Sequence, residues 1–161
     1  MPAREWLLIS LVVAIMVGRW VWVWARGPRA ERCWNRAVQA YENGDMASAA
    51  RLFEKCVRLV PVWVLPRRML GRALASQGKL DQAEEHFRFA VQLEPRAADN
   101  YVDWGSFLAI CRPQRTDEAL DAFAKAVELD PEMRTKLARL DHLAPLRTQP
   151  RFAALLGPDQ P

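Results

Sequence analysis

Gly44, Ala49, Phe53 and Pro61 return as Gly78, Ala83, Phe87 and Pro95, about 34 residues further along the chain. A third set, Ala119, Phe123, Ala126 and Pro131, arrives two residues late. Self-similarity at this interval belongs to stacked helical units, each too small to bury its apolar face alone. It constrains roughly residues 30–133 to an all-α solenoid. An architecture of this kind offers a surface more readily than a catalytic centre.

The residue types explain why each unit is a helix pair. Apolar residues fall at helical spacing and are interrupted by Asn43-Gly44-Asp45 and Gln77-Gly78-Lys79, where one helix ends and the chain reverses. Alanines 49, 83, 90, 119 and 126 let two helices approach closely, and the phenylalanines fill the space beside them. Leu59-Val60-Pro61, Leu93-Glu94-Pro95 and Leu129-Asp130-Pro131 stop the second helix of each pair, because proline cannot continue the hydrogen-bond ladder.

The pattern resembles the tetratricopeptide repeat (TPR) family. The second copy matches best, with Leu70, Gly71, Gly78, Leu80, Ala83, Phe87, Ala90 and Pro95 of the type the family asks for. In the first, Arg36 and Ala37 replace the usual Leu-Gly, and Cys56 replaces a small alanine. In the third, Trp104-Gly105 leads, but Cys111-Arg112-Pro113-Gln114-Arg115 stands where a tight glycine turn is usual. The resemblance implies three repeats, 30–63, 64–97 and 98–133, followed by a capping segment over 134–157. There Leu137, Leu140 and Leu143, then Phe152, Leu155 and Leu156, supply the apolar faces of two short helices.

The amino terminus carries the second strong signal. Residues 5–25 are apolar apart from Glu5, Ser10 and Arg19, and as a helix would span about 31 Å, the thickness of a bilayer core. A single transmembrane helix is therefore expected, with a cleaved signal peptide as its competitor. Arg19 would snorkel to the interface, and Trp20, Trp22 and Trp24 would form an aromatic belt. Arg26, Arg29, Arg32 and Arg36 on the carboxyl-side flank place the repeat domain in the cytoplasm by the positive-inside rule. An arginine-to-lysine ratio of 19 to 4 agrees with a GC-rich bacterial genome, hence a single-pass protein of a bacterial inner membrane. The apolar stretch 60–66, so close to this anchor, either packs within the solenoid through Val64 and Leu65 or presents Trp63 to lipid or a partner.

Function in TPR proteins usually resides on the first helix of each pair. The residues expected on that face are Trp34, Val38 and Tyr41, then Arg68, Met69 and Arg72, then Asp99, Asp103 and Ser106. Arg68 and Arg72 share a helix face and either seat an acidic peptide or are neutralised by Asp99 and Asp103. The carboxylate-gripping TPR subclass uses a lysine and an asparagine that repeat one lacks, so that clamp is not carried over.

The net charge of +4 is too small to argue for nucleic acid. Cys33, Cys56 and Cys111 lack metal-ligand spacing and read as small buried hydrophobes. There is no phosphate-binding glycine loop, no metal-binding histidine motif and no nucleophile with a base beside it. No cofactor and no enzyme activity are expected. The chain reads as a membrane-anchored scaffold that recruits a protein or peptide partner, or alternatively as an accessory subunit docked in a larger membrane complex through its anchor.

Overall fold

The structure, a computed structural model, describes residues 27–157. All of its regular structure is helical: α1 (27–42), α2 (Met46–Leu59), α3 (Val64–Ser76), α4 (Leu80–Leu93), α5 (Ala98–Cys111), α6 (Thr116–Leu129), α7 (Met133–Ala138) and α8 (Pro150–Leu156). A 3-10 turn, Pro113–Arg115, precedes α6, and a longer one, Asp141–Thr148, lies between α7 and α8. Consecutive helices pack as antiparallel hairpins. The core runs unbroken from Ala37 through Phe53, Phe87 and Phe123 to Phe152.

The two glycine turns close as the residue types dictate. Gly44 and Gly78 take φ of 77° and 73°, a region costly for residues with a Cβ. The amides of Asp45 and Lys79 then reach back to the carbonyls of Ala40 and Leu74 at 2.9 and 3.0 Å, satisfying helix-end acceptors. Asp45 also caps the next helix, its carboxylate accepting from the Ser48 amide at 2.9 Å. In the third pair, where no glycine is available, the 3-10 turn does the work and two arginines tie it to α4. Arg112 pairs with Asp81 and Glu84, and Arg115 with Glu84 at 2.7 Å.

Small residues govern how near the paired helices lie. A Cβ on Gly71 would stand 2.9 Å from Phe87 Cζ, and one on Gly105 would stand 2.6 Å from Phe123 Cε1 and 3.0 Å from the Ala119 carbonyl oxygen. Ala37, one repeat earlier, carries its methyl fully buried. Asn100 fastens α4 to α5, its side-chain amide donating to the carbonyls of Ala90 and Glu94 at 3.1 Å. At the far end the chain folds into three short pieces instead of two helices, and Leu137, Leu143 and Phe152 are fully buried against the last pair. Phe152 lies 5.6 Å from the ring of Phe123.

The membrane expectations need correction. The segment 5–25, with Arg19, Trp20, Trp22 and Trp24, lies outside the described residues, and among the described residues no helix is long and apolar enough to cross a membrane. The described part of α1 runs over residues 27–42. It carries Arg29, Glu31, Arg32 and Arg36. The fold class is accordingly an all-α helical solenoid without a transmembrane helix among the described residues. The single-pass inner-membrane location and a cytoplasmic repeat domain defined by such an anchor are not supported.

The apolar stretch 60–66 divides its residues between core and surface. Val64 turns inward, whereas Val62 is 70% and Leu65 40% exposed. Trp63 is half-buried, its ring 5.3 Å from that of Trp34.

Candidate functional site

The first helices of the three pairs line a common cavity of about 440 Å³, which the carboxyl-terminal segment closes on one side. Tyr41 comes from α1, Arg72 from α3, Asp103 and Ser106 from α5, and Lys136 and His142 from α7 and the turn after it. Phe107, Ile110 and Leu140 provide an apolar wall. Ile110 is 55% exposed at the edge of the cavity.

Asp103 is the electrostatic pivot. Its carboxylate is almost fully buried and takes one guanidinium on each oxygen, Arg68 on one and Arg72 on the other. Arg68 and Arg72 occupy successive turns of α3 and Asp103 sits mid-way along α5, so one ion cluster bridges two repeats. Burial works against the charge on Arg72, but the neighbouring Asp103 carboxylate outweighs it and holds the guanidinium more firmly protonated than usual. Asp99 does not join this cluster. It pairs with Lys136, which donates to its carboxylate and depresses its pKa. Three cations therefore face two carboxylates, leaving one positive charge in excess, and Arg72 and Lys136 remain nearly half exposed. His142 adds no further charge near neutral pH, because burial and the nearby Arg72 push its pKa down.

Of the residues expected on this face, Tyr41, Arg72, Asp103 and Ser106 line the cavity. Arg68 stands beside it, held by Asp103. Trp34, Val38 and Met69 pack against the core instead, with Trp34 engaged by Phe53 at 5.5 Å and by Trp63. Lys136, Leu140 and His142 were not anticipated here. They belong to the segment expected to serve as a cap, and nothing in local spacing announces that it folds back along α5.

Among the described residues there is no cluster of metal-ligating side chains. His86 lies away from this cavity, half-buried in a second depression between α2 and α4. There burial, and then Arg67, lower its pKa.

Residues 69–96, which take in most of α3 and all of α4, match the family model described as tetratricopeptide repeat. A curated relative, the UDP-N-acetylglucosamine--peptide N-acetylglucosaminyltransferase of Giardia intestinalis, is 32% identical over 89 residues, which is 55% of this chain. The chain spans 6% of that enzyme's length. Among solved structures, MamA from MSR-1 is similar at 25% identity with a TM-score of 0.56, over 65% of this chain and 59% of that one. The first TPR of Spaghetti (RPAP3), solved with the HSP90 peptide SRMEEVD, is 18% identical with a TM-score of 0.62, over 80% of this chain and 94% of that one. Residues 69–96 thus match a tetratricopeptide repeat, and the helical solenoid is the fold these solved structures share.

Proposed function

We propose that this chain is an interaction scaffold that holds a peptide segment of a partner protein in the cavity shared by α1, α3 and α5. The observation that carries the reading is the exposed Ile110 beside an ion cluster with one positive charge in excess. Such a surface suits a segment with an aliphatic side chain next to a carboxylate. The aliphatic group would cover Ile110 and Leu140, and the carboxylate would approach the exposed sides of Arg72 and Lys136. Asp103 keeps both arginines extended before a partner arrives, which reduces the ordering cost of binding. The lysine–asparagine clamp absent from repeat one has no part in this scheme. A fold shared with a TPR solved around a peptide agrees with the reading.

The half-buried Ser106 lines the cavity, where tryptophan would fill the space. Affinity isolation of the full chain should recover a partner in fixed ratio with the natural sequence and lose it with Ser106→Trp. A partner retained equally by Ser106→Trp and by Arg72→Glu would refute the assignment.

A further inference from the structure

On the other face of the first hairpin lies a cleft of about 520 Å³ that shares no residue with the groove. Arg29, Arg32 and Arg36 rise from α1 along one stripe, and Lys55 faces them from α2. Positions 29 and 36 are two turns apart, so the cations extend over about 10 Å. The floor between them is aliphatic, formed by the half-buried Leu52 and Leu59 beside the buried Cys33.

The charge is uncompensated. Among the described residues, none of these four cations forms an ion pair; other cations are unpaired too, but those in the depressions beside α4 share them with carboxylates. No carboxylate lines the cleft. Four like charges around one depression repel each other, and all four side chains are exposed. Their guanidinium forks suit carboxylates or phosphates alike. The floor argues against nucleic acid as the phosphate source. An aliphatic strip gives nothing to stacked bases, and no aromatic residue lines the cleft as a nucleic-acid platform would require.

We propose that the α1–α2 cleft is a second protein-docking site, for an acidic amphipathic helix that lays aliphatic side chains on Leu52 and Leu59 between carboxylates bound by Arg29, Arg32, Arg36 and Lys55. Helix-in-groove recognition has this form, with anchors at i, i+3 and i+7 matching the stripe on α1. Two sites on opposite faces of one short solenoid would let it join two proteins.

The test uses the full chain and fluorescence anisotropy at about 150 mM salt, where exposed charges more than about 8 Å apart are largely screened. Three labelled probes are compared: a helical peptide with glutamates at i, i+3 and i+7 flanking a leucine stripe, a shuffled peptide of the same composition, and a single-stranded oligonucleotide of equal net charge. The patterned peptide is expected to bind about tenfold tighter than either other probe. Arg32→Glu with Arg36→Glu should weaken it about tenfold or more, and Arg88→Glu, exposed on α4 and outside both sites, should leave it unchanged. Lys55→Glu, a single exposed change, provides the same test should the double variant fail to fold. Equal binding of the shuffled peptide, tighter binding of the oligonucleotide, no binding of any probe, or indifference to the charge reversals would each overturn the proposal.

Discussion

The first helix pair and the two that follow repeat one architecture with different chemistry. In α3–α4 and α5–α6, glycine on the first helix brings a phenylalanine of the second into contact with the backbone. Buried or half-buried ion pairs then tie these two pairs to each other. In α1–α2, Ala37 replaces the glycine. Thiols line the seam, Cys33 donating to the Leu52 carbonyl at 3.2 Å, and burial beside Cys33 pushes the Cys56 thiol up to about 12. Trp34, Tyr41 and Trp63 surround that seam with aromatic contacts. The repeat period thus specifies where helices meet, while the joining chemistry varies. Where charge is not used internally, it stays available at the surface.

This contrast can be broken at Asp103. Asp103→Ala leaves Arg68, mostly buried, without its paired carboxylate, and should cost about 3 kcal/mol in urea unfolding. A loss below about 1 kcal/mol would mean that the later pairs do not depend on their ion cluster. Close packing is the next lever. Gly105→Ala should destabilise by about 2 kcal/mol, since its methyl meets a buried ring and a backbone carbonyl. Gly71→Ala should cost less, because only the Phe87 ring must shift and alanine's helix propensity returns about 1 kcal/mol. The order of the two unfolding midpoints checks this, and equal values would contradict the geometry.

Smaller effects sharpen the same comparison. Arg32→Glu with Arg36→Glu should change stability by no more than about 0.5 kcal/mol, because these side chains are exposed and make no ion pair among the described residues. The Lys136–Asp99 pair should contribute a few tenths of a kcal/mol. Lys136 lowers the pKa of Asp99 below its ordinary 3.8, so that contribution is complete above the ordinary value and fades as pH falls through the lowered one. Acid unfolding of Lys136→Ala should lack this increment, and identical acid profiles would remove the pair from the account.

Much of the solenoid was legible because its signals are local. Gly44 and Gly78 mark turns through a backbone region that few other residues tolerate, and the prolines at 61, 95 and 131 mark helix ends. The groove was legible only in part. Tyr41, Arg72, Asp103 and Ser106, expected there from the family resemblance, line the cavity, whereas Trp34, Val38 and Met69, expected on the same face, pack against the core. Lys136, Leu140 and His142 reach the groove through a long-range fold-back, which no window of sequence encodes. Asp99 and Asp103 looked interchangeable, four residues apart on one helix. Only the position of the carboxyl-terminal segment separates them, giving Asp99 to Lys136 and Asp103 to the two arginines.

The most direct measurement is site-specific photocrosslinking in the full chain. A benzophenone amino acid at Ser106, within the groove, is compared with one at Gln92, exposed on α4 and outside it. The scaffold reading predicts that a partner is trapped from position 106 and not from 92, and that Arg72→Glu abolishes the adduct. Equal trapping from both positions, or an adduct that survives Arg72→Glu undiminished, would contradict it.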